Sequence, residues 1–149
     1  MNDRRTIDNE ILLREVCILL SQGKRVKLRA KGNSMRPFIN GSKDILVLTP
    51  LTTLNKYDVV LARIEGKRYV VHRIIEISEN RITLMGDGNL YENEECVATD
   101  IFGTVESIIH NRKEYSLRSS SARLCAIAWR FLLPLRRMKS KILNLIKQR

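Results

Sequence analysis

Two residues of this 149-residue chain have side chains suited to acyl transfer. Ser34 lies in the turn G-N-S-M-R-P, residues 32–37. Such a turn can expose the hydroxyl and aim backbone N–H groups at one point, as a nucleophile requires. His72 lies in the β-branched segment Y-V-V-H-R-I-I, and an imidazole accepts a serine proton near neutral pH. A turn serine or a strand histidine is more often structural, so neither residue identifies an active site by itself.

A carboxylate stands a short distance further along the chain. Asp87 lies in M-G-D-G-N, residues 85–89, directly after a predicted strand. An aspartate between two glycines is commonly part of a turn. It can instead orient an imidazole, as in a Ser-His-Asp triad. Both interpretations remain open from these residues alone.

The elements that would position these side chains are mostly short strands. Apolar residues at helical spacing predict an amphipathic helix over Ile7–Ser21, with Gly23 as its stop. Alternation with a period of two then predicts a strand beginning at Arg25. Further strands are predicted over Ile45–Leu48, Asp58–Arg63, Arg68–Ile77, Arg81–Met85, Phe102–Ile109 and Tyr115–Leu117. This arrangement predicts a mainly β fold whose partly closed sheet carries helices only at the chain ends.

Four sequence blocks occur in a characteristic order: G-x-S-M-x-P at 32–37, D-V-V at 58–60, V-H-R at 71–73 and G-D-G-N at 86–89. Together they resemble the S24/S26 serine peptidases, the group of LexA and signal peptidase I. The His-containing signal peptidases of the endoplasmic reticulum, archaea and sporulating bacteria look most similar. The resemblance covers roughly Leu28–Val105. It implies a LexA-like or signal-peptidase-like β-sheet core.

The resemblance also implies a role for each matched residue. Ser34 would be the nucleophile, and His72 would replace the lysine base that other members place on this strand. Asp87 would be the acid that orients His72. Related enzymes carry a second acidic site several residues further on, so Glu92 or Glu94 could serve instead.

One departure from the family pattern concerns the oxyanion. Many signal peptidases have a serine two residues before the nucleophile, and this chain has Gly32 there, as in LexA-type sequences. The oxyanion would therefore be held by backbone N–H groups, those of Asn33 and Ser34.

The positive charge of the chain is concentrated at its C-terminal end. The formal net charge is +11, and residues 120–149 contain eight basic residues and no acidic one. Residues 1–119 form the predicted peptidase domain, and 120–149 form a basic amphipathic helical tail that Pro134 should kink or split. Its Trp129 and Phe131 lie on the apolar side. We expect residues 121–149 either to bind an anionic membrane surface or to dock on the core with a solvated basic face.

Composition restricts the remaining functions. Three cysteines without C-x-x-C predict free thiols rather than disulfides, and scattered histidines and cysteines give no metal-ligand spacing. No glycine-rich phosphate loop is present, so no cofactor is expected. The polar N-terminus has no apolar signal segment, and no apolar run is long enough to span a membrane. These features predict a cytoplasmic protein, peripheral at the inner face of the membrane if the tail binds lipid.

The predicted function is a serine endopeptidase that processes a leader or signal-like segment of a partner protein through an acyl-enzyme. One alternative is a LexA-like regulator that binds nucleic acid and cleaves itself. The segment before Ser34 has room for only one helix and one strand, and it lacks a small-residue self-cleavage site, which argues against this regulator and against nucleic acid. A non-catalytic binding module of the same fold is the other alternative.

Overall fold

The computed structural model of the chain describes residues 3–147, with side chains described from residue 9 onward. The side chains of Ile7 and Asp8, and all of Gln148 and Arg149, therefore lie outside the described residues. Three α-helices are present in the described part: α1 (Asp3–Ser21), α2 (Ser120–Phe131) and α3 (Leu133–Lys147). The strands described there are β1 (Val26–Arg29), β2 (Ile45–Pro50), β3 (Val59–Ile64), β4 (Arg68–Ser78), β5 (Arg81–Met85), β6 (Glu94–Cys96), β7 (Ile101–His110) and β8 (Lys113–Ser116).

The strands form one curled antiparallel sheet in the order β1-β2-β7-β3-β4-β5-β6, with β8 paired to β7. Register shifts interrupt the β2–β7, β3–β7 and β4–β5 ladders. Such irregularities increase local twist and bend a sheet. The predicted mainly β, partly closed sheet with terminal helices is confirmed, and β6 is a strand that the sequence pattern did not predict.

The two faces of the sheet are each covered by apolar side chains. One cluster includes Val16 and Leu20 of α1 together with Leu48, Leu61 and Val105 of the sheet. A second cluster includes Val60, Ile74 and Leu84 on the opposite face. The chain thus has a core on each side of the central strands, and β4 lies between them.

Helix α1 ends where the sequence predicted and packs closely on the sheet. Gly23 adopts a φ of +81°, the left-handed conformation typical of a glycine that follows a helix. Leu20, which is 1% exposed, lies against Gly103 of β7, where an added Cβ would be 2.9 Å from the Leu20 Cδ1 atom. The glycine therefore allows α1 to approach the sheet.

The C-terminal tail forms two helices. Helix α2 ends at Phe131 and α3 begins at Leu133, one residue before Pro134. Proline lacks the N–H that would continue the hydrogen-bond ladder, which explains the break. None of the helices described for residues 3–147 is long and apolar enough to cross a membrane.

Candidate active site

Ser34 lies in a tight turn directly after β1. Gly32 begins this turn with a φ of +73°, a conformation that glycine adopts without steric cost. The chain folds back so closely that a Cβ on Gly41 would lie 1.7 Å from the Gly32 carbonyl oxygen. Two glycines therefore make this turn sterically feasible. They leave the Ser34 side chain half-buried at a cleft.

His72 lies in the middle of β4, opposite Val60 of β3. The imidazole is 6% exposed. Its Nε2 atom lies 3.1 Å from the Ser34 Oγ atom, within hydrogen-bond distance. The structure therefore brings together the two residues that the sequence analysis singled out, although 38 positions separate them in the chain.

The other imidazole nitrogen contacts Glu94 on β6. The His72 Nδ1 atom lies 2.7 Å from the Glu94 Oε2 atom. The second oxygen of the same carboxylate accepts a hydrogen bond from Arg68, four residues before His72 on β4. Side chains at this spacing lie on one face of a strand, so one carboxylate can bridge Arg68 and His72. With the proton on Nδ1, His72 donates to Glu94 and its Nε2 atom is free to accept the Ser34 proton.

Asp87 lies elsewhere, and the expectation that it orients His72 requires correction. Its two oxygens accept hydrogen bonds from Nε and an Nη atom of Arg73, each at 2.7 Å. Both side chains of this pair are buried. Arg73 follows His72 on β4 and projects to the opposite face of the strand. Asp87 is therefore held away from the imidazole by a buried arginine. Of the two alternatives, Glu94 reaches His72, and Glu92 is exposed at the cleft.

The G-D-G-N loop at 86–89 supports the Ser34 turn through its backbone. The Gly88 N–H group donates to the Ser34 carbonyl oxygen at 2.7 Å. A Cβ on Gly86 would lie 2.5 Å from that same oxygen. Gly88 lies almost as close to the turn, since its Cβ would be 3.1 Å from the Asn33 oxygen. The two glycines thus let the loop pack directly under Ser34.

The backbone N–H groups of Asn33 and Ser34, the predicted oxyanion donors, have no acceptor among the described residues. The Asn33 carbonyl oxygen, by contrast, accepts from the Arg36 N–H group at 3.1 Å. Free N–H groups beside a nucleophile can stabilise negative charge on an attacked carbonyl oxygen. The two N–H groups are therefore available for the predicted oxyanion role, and this role uses only the backbone.

A cleft of about 490 Å³ opens beside Ser34 and His72. Its walls are formed by β1, β4 and residues 9–13 of α1, and Leu28, Met35 and Val71 make part of it apolar. Strand β1 is the end strand in the sheet order. An end strand can pair with an extended peptide, whose side chains would then enter apolar depressions.

The tail contacts the same region from behind. The Trp129 indole N–H group donates to the Asp87 carbonyl oxygen at 2.7 Å, and Arg136 donates to the same oxygen at 2.9 Å. Arg137 donates to the Leu90 carbonyl oxygen at 2.7 Å. Burial of Arg136 against the body lowers its pKa from the usual value. The helices therefore hold the backbone of the loop that supports Ser34.

A second anchor of the tail involves the D-V-V block. Asp58 is 3% exposed and accepts a hydrogen bond from Arg123 of α2 at 2.6 Å. Sequence reasoning assigned no partner to Arg123, Arg73 or Arg68. A buried carboxylate requires a hydrogen-bond donor. This rule alone suggests that Asp58 and Asp87, the acidic residues of the sequence blocks, pair with basic residues. The spacing along the chain does not reveal which basic residue pairs with which acid.

A family described as Peptidase S24-like matches residues 3–106, which includes α1, the Ser34 turn, β4 and β6. No curated protein matched the chain.

Proposed function

The chain belongs to the Peptidase S24-like family, and from this premise we propose that it is a serine endopeptidase that uses Ser34, His72 and Glu94. The observation that supports this most directly is the continuous line of hydrogen bonds from Ser34 through His72 to Glu94 beside an open cleft. A nucleophile, a base and an acid that orients the base are the three parts such chemistry needs.

The reaction would begin with attack of the Ser34 Oγ atom on a peptide carbonyl carbon. The hydroxyl proton passes to the His72 Nε2 atom, and Glu94 stabilises the imidazolium that forms. The carbonyl oxygen becomes an oxyanion held by the N–H groups of Asn33 and Ser34. Collapse breaks the C–N bond, and the leaving amine takes the proton from His72. Water, deprotonated by His72, then attacks the acyl carbon. The ester C–O bond breaks, the carboxylic acid product leaves, and His72 returns the proton to the Ser34 Oγ atom.

We further propose that the substrate is an extended segment of a partner protein, such as a leader or signal-like peptide. The cleft supports this because it is open, partly apolar and bordered by the end strand β1. An extended peptide could add to that strand and place a carbonyl carbon at Ser34. No cofactor takes part in this mechanism.

The decisive experiment replaces Ser34 by Ala and His72 by Ala in the producing organism. Mass spectrometry of protein N-termini should show at least one precursor that stays uncleaved in both variants. A matched substitution at the exposed Ser78→Ala should leave processing unchanged. Normal N-termini in both variants would contradict the assignment. A purified protein whose Ser34 does not react with a serine-directed acylating probe would instead favour a non-catalytic binding module.

Self-cleavage is a second candidate, because family membership alone is compatible with it. The purified chain should keep its intact mass during prolonged incubation if it acts on partner proteins. Shortening that Ser34→Ala abolishes would support the self-cleaving alternative.

A further inference from the structure

The two tail helices attach to the body through one side only. Ala126 of α2 and Leu133 of α3 are buried, at 2% and 5% exposure. Trp129 and Arg136 lie on the same side and donate to the Asp87 carbonyl oxygen in the loop under Ser34. Arg137 donates to the carbonyl oxygen of Leu90, the residue directly after that loop. The side of the helices that faces the body is therefore rich in arginine.

The opposite side of the same helices is apolar and uncovered. Within α2 the apolar residues are seven positions apart, and within α3 they are three or four positions apart, so in each helix they lie on one face. Each is between 50% and 78% exposed: Leu124, Phe131, Leu135, Met138, Ile142 and Leu145. This outward apolar face reverses the expected docking of a tail, in which apolar residues pack on the core and basic residues face water.

The charged residues that the tail itself places beside the outward apolar face are all positive. Lys139 and Lys141 are exposed and lie at its two edges. Residues 120–149 contain no Asp or Glu. A second copy packed on this face would bring basic residues opposite basic residues, without a carboxylate to pair them. Nucleic acid would satisfy the charge but would leave the apolar side chains exposed.

We propose that the outward apolar face of α2 and α3 binds the surface of an anionic lipid bilayer, with the helices lying in the plane of the interface. An apolar face flanked by lysines is the pattern of interfacial helices, which bury their apolar side chains at the boundary between headgroups and acyl chains. The lysines attract anionic headgroups. The proposal stands independently of the peptidase chemistry.

Binding in this orientation would also fix the position of the cleft. The helices that touch the lipid are the ones that hold the Asp87 and Leu90 carbonyl oxygens through their arginines. The loop under Ser34 would therefore lie close to the surface, separated from it by the thickness of one helix.

The test is co-sedimentation of the full chain with vesicles of phosphatidylglycerol and phosphatidylcholine in equal parts, at low and at physiological salt. We expect binding to the mixed vesicles and little binding to phosphatidylcholine alone. The double variant Lys139→Gln/Lys141→Gln should lower the partition coefficient about 30-fold at low salt. A matched double variant at exposed lysines of the body, Lys24→Gln/Lys67→Gln, should bind nearly as well as the unchanged chain.

A second pair of variants tests the apolar contribution. Ile142→Ser/Leu145→Ser should lower the partition coefficient about tenfold or more. The matched control Ile77→Ser/Val97→Ser changes apolar residues that are 42% and 46% exposed on the body, and it should retain binding. Because Ile142 and Leu145 are exposed, their substitution should leave the midpoint of thermal unfolding unchanged, which separates loss of binding from loss of folding.

Three results would overturn the proposal. Equal vesicle binding by Ile142→Ser/Leu145→Ser would show that the apolar face does not meet lipid. If the unchanged chain forms a dimer and does not bind vesicles, and this variant is monomeric, the face would be assigned to a second copy. Tight binding to duplex DNA at physiological salt, without vesicle binding, would assign the basic residues to nucleic acid.

Discussion

Substitution of Glu94 should slow the reaction of Ser34, whereas substitution of Asp87 should lower stability, because Glu94 contacts His72 and Asp87 binds Arg73. Glu94→Gln keeps the shape of the side chain and removes its charge. The Glu94 Oε2 atom lies 2.7 Å from the His72 Nδ1 atom. When His72 accepts the Ser34 proton, the carboxylate and the imidazolium become a pair of opposite unit charges.

The size of that effect follows from Coulomb's law. Unit charges about 4 Å apart attract by about 4 kcal/mol at an effective dielectric constant of about 20. Each 1.36 kcal/mol corresponds to a factor of ten in rate. Glu94→Gln should therefore slow acylation of Ser34 by about 10²- to 10³-fold. The free energy of unfolding should change little, because Arg68, the permanently charged partner of Glu94, is 60% exposed.

Asp87→Asn should instead lower stability. It leaves the buried Arg73 guanidinium without its carboxylate, and breaking a buried ion pair in this way costs about 3–5 kcal/mol. Under conditions where the variant is folded, Ser34 should still react. Glu95→Gln is the matched control, since its partner Arg81 is 64% exposed, and it should cost less than about 1 kcal/mol.

The assays are urea unfolding followed by circular dichroism and the rate of Ser34 labelling by a fluorescent serine-directed acylating probe. Glu94→Gln that labels at the unchanged rate would refute the assignment of Glu94. Asp87→Asn that slows labelling at unchanged stability would restore Asp87 as the orienting acid.

Two further predictions concern the packing under Ser34 and the thiols. Gly86→Ala places a Cβ 2.5 Å from the Ser34 carbonyl oxygen. It should therefore displace the Ser34 turn, slow probe labelling and lower the free energy of unfolding by about 1–3 kcal/mol. Unchanged labelling and stability would contradict this close approach. Burial raises the pKa of both Cys17 and Cys96 to about 11, whereas Cys125 is exposed. Iodoacetamide at pH 8 should therefore alkylate Cys125 alone until the protein is unfolded, as peptide mass spectrometry would show, and rapid alkylation of Cys17 in the folded protein would contradict its burial.

The sequence pattern located most of the sheet because alternation of apolar and polar residues is a local signal. Strand β5 has the predicted bounds, Arg81–Met85, and β4 extends one residue beyond its predicted end. Strand β6 was missed because Glu94–Cys96 is short and has two adjacent glutamates. Its strand structure depends on pairing with β5, which no local pattern reveals.

The pairing of charges was harder to predict than the position of the strands. His72 and Arg73 are neighbours on β4 and point to opposite faces. A one-residue difference therefore decides which carboxylate reaches the imidazole. Asp87 follows β5 at the point where Met85 pairs with Arg73, so it meets the arginine. Glu94 lies on β6, a strand that the sequence did not predict. For this reason the sequence indicated Glu94 only as an alternative to Asp87.

Two acidic residues of the characteristic blocks thus bind arginine side chains, and their carboxylates accept no hydrogen bond from Ser34 or His72. Asp58 binds Arg123 of α2, and Asp87 binds Arg73 through its side chain while its carbonyl oxygen accepts from Trp129. Both blocks therefore serve as attachment points for the tail as well as parts of the core. Removing the tail would leave the buried Asp58 carboxylate without its arginine, which is costly, and would free the loop under Ser34. Truncation would consequently lower stability and disturb the packing around Ser34. Substitutions on the outward apolar face are the sharper test of lipid binding, because those side chains contact neither block.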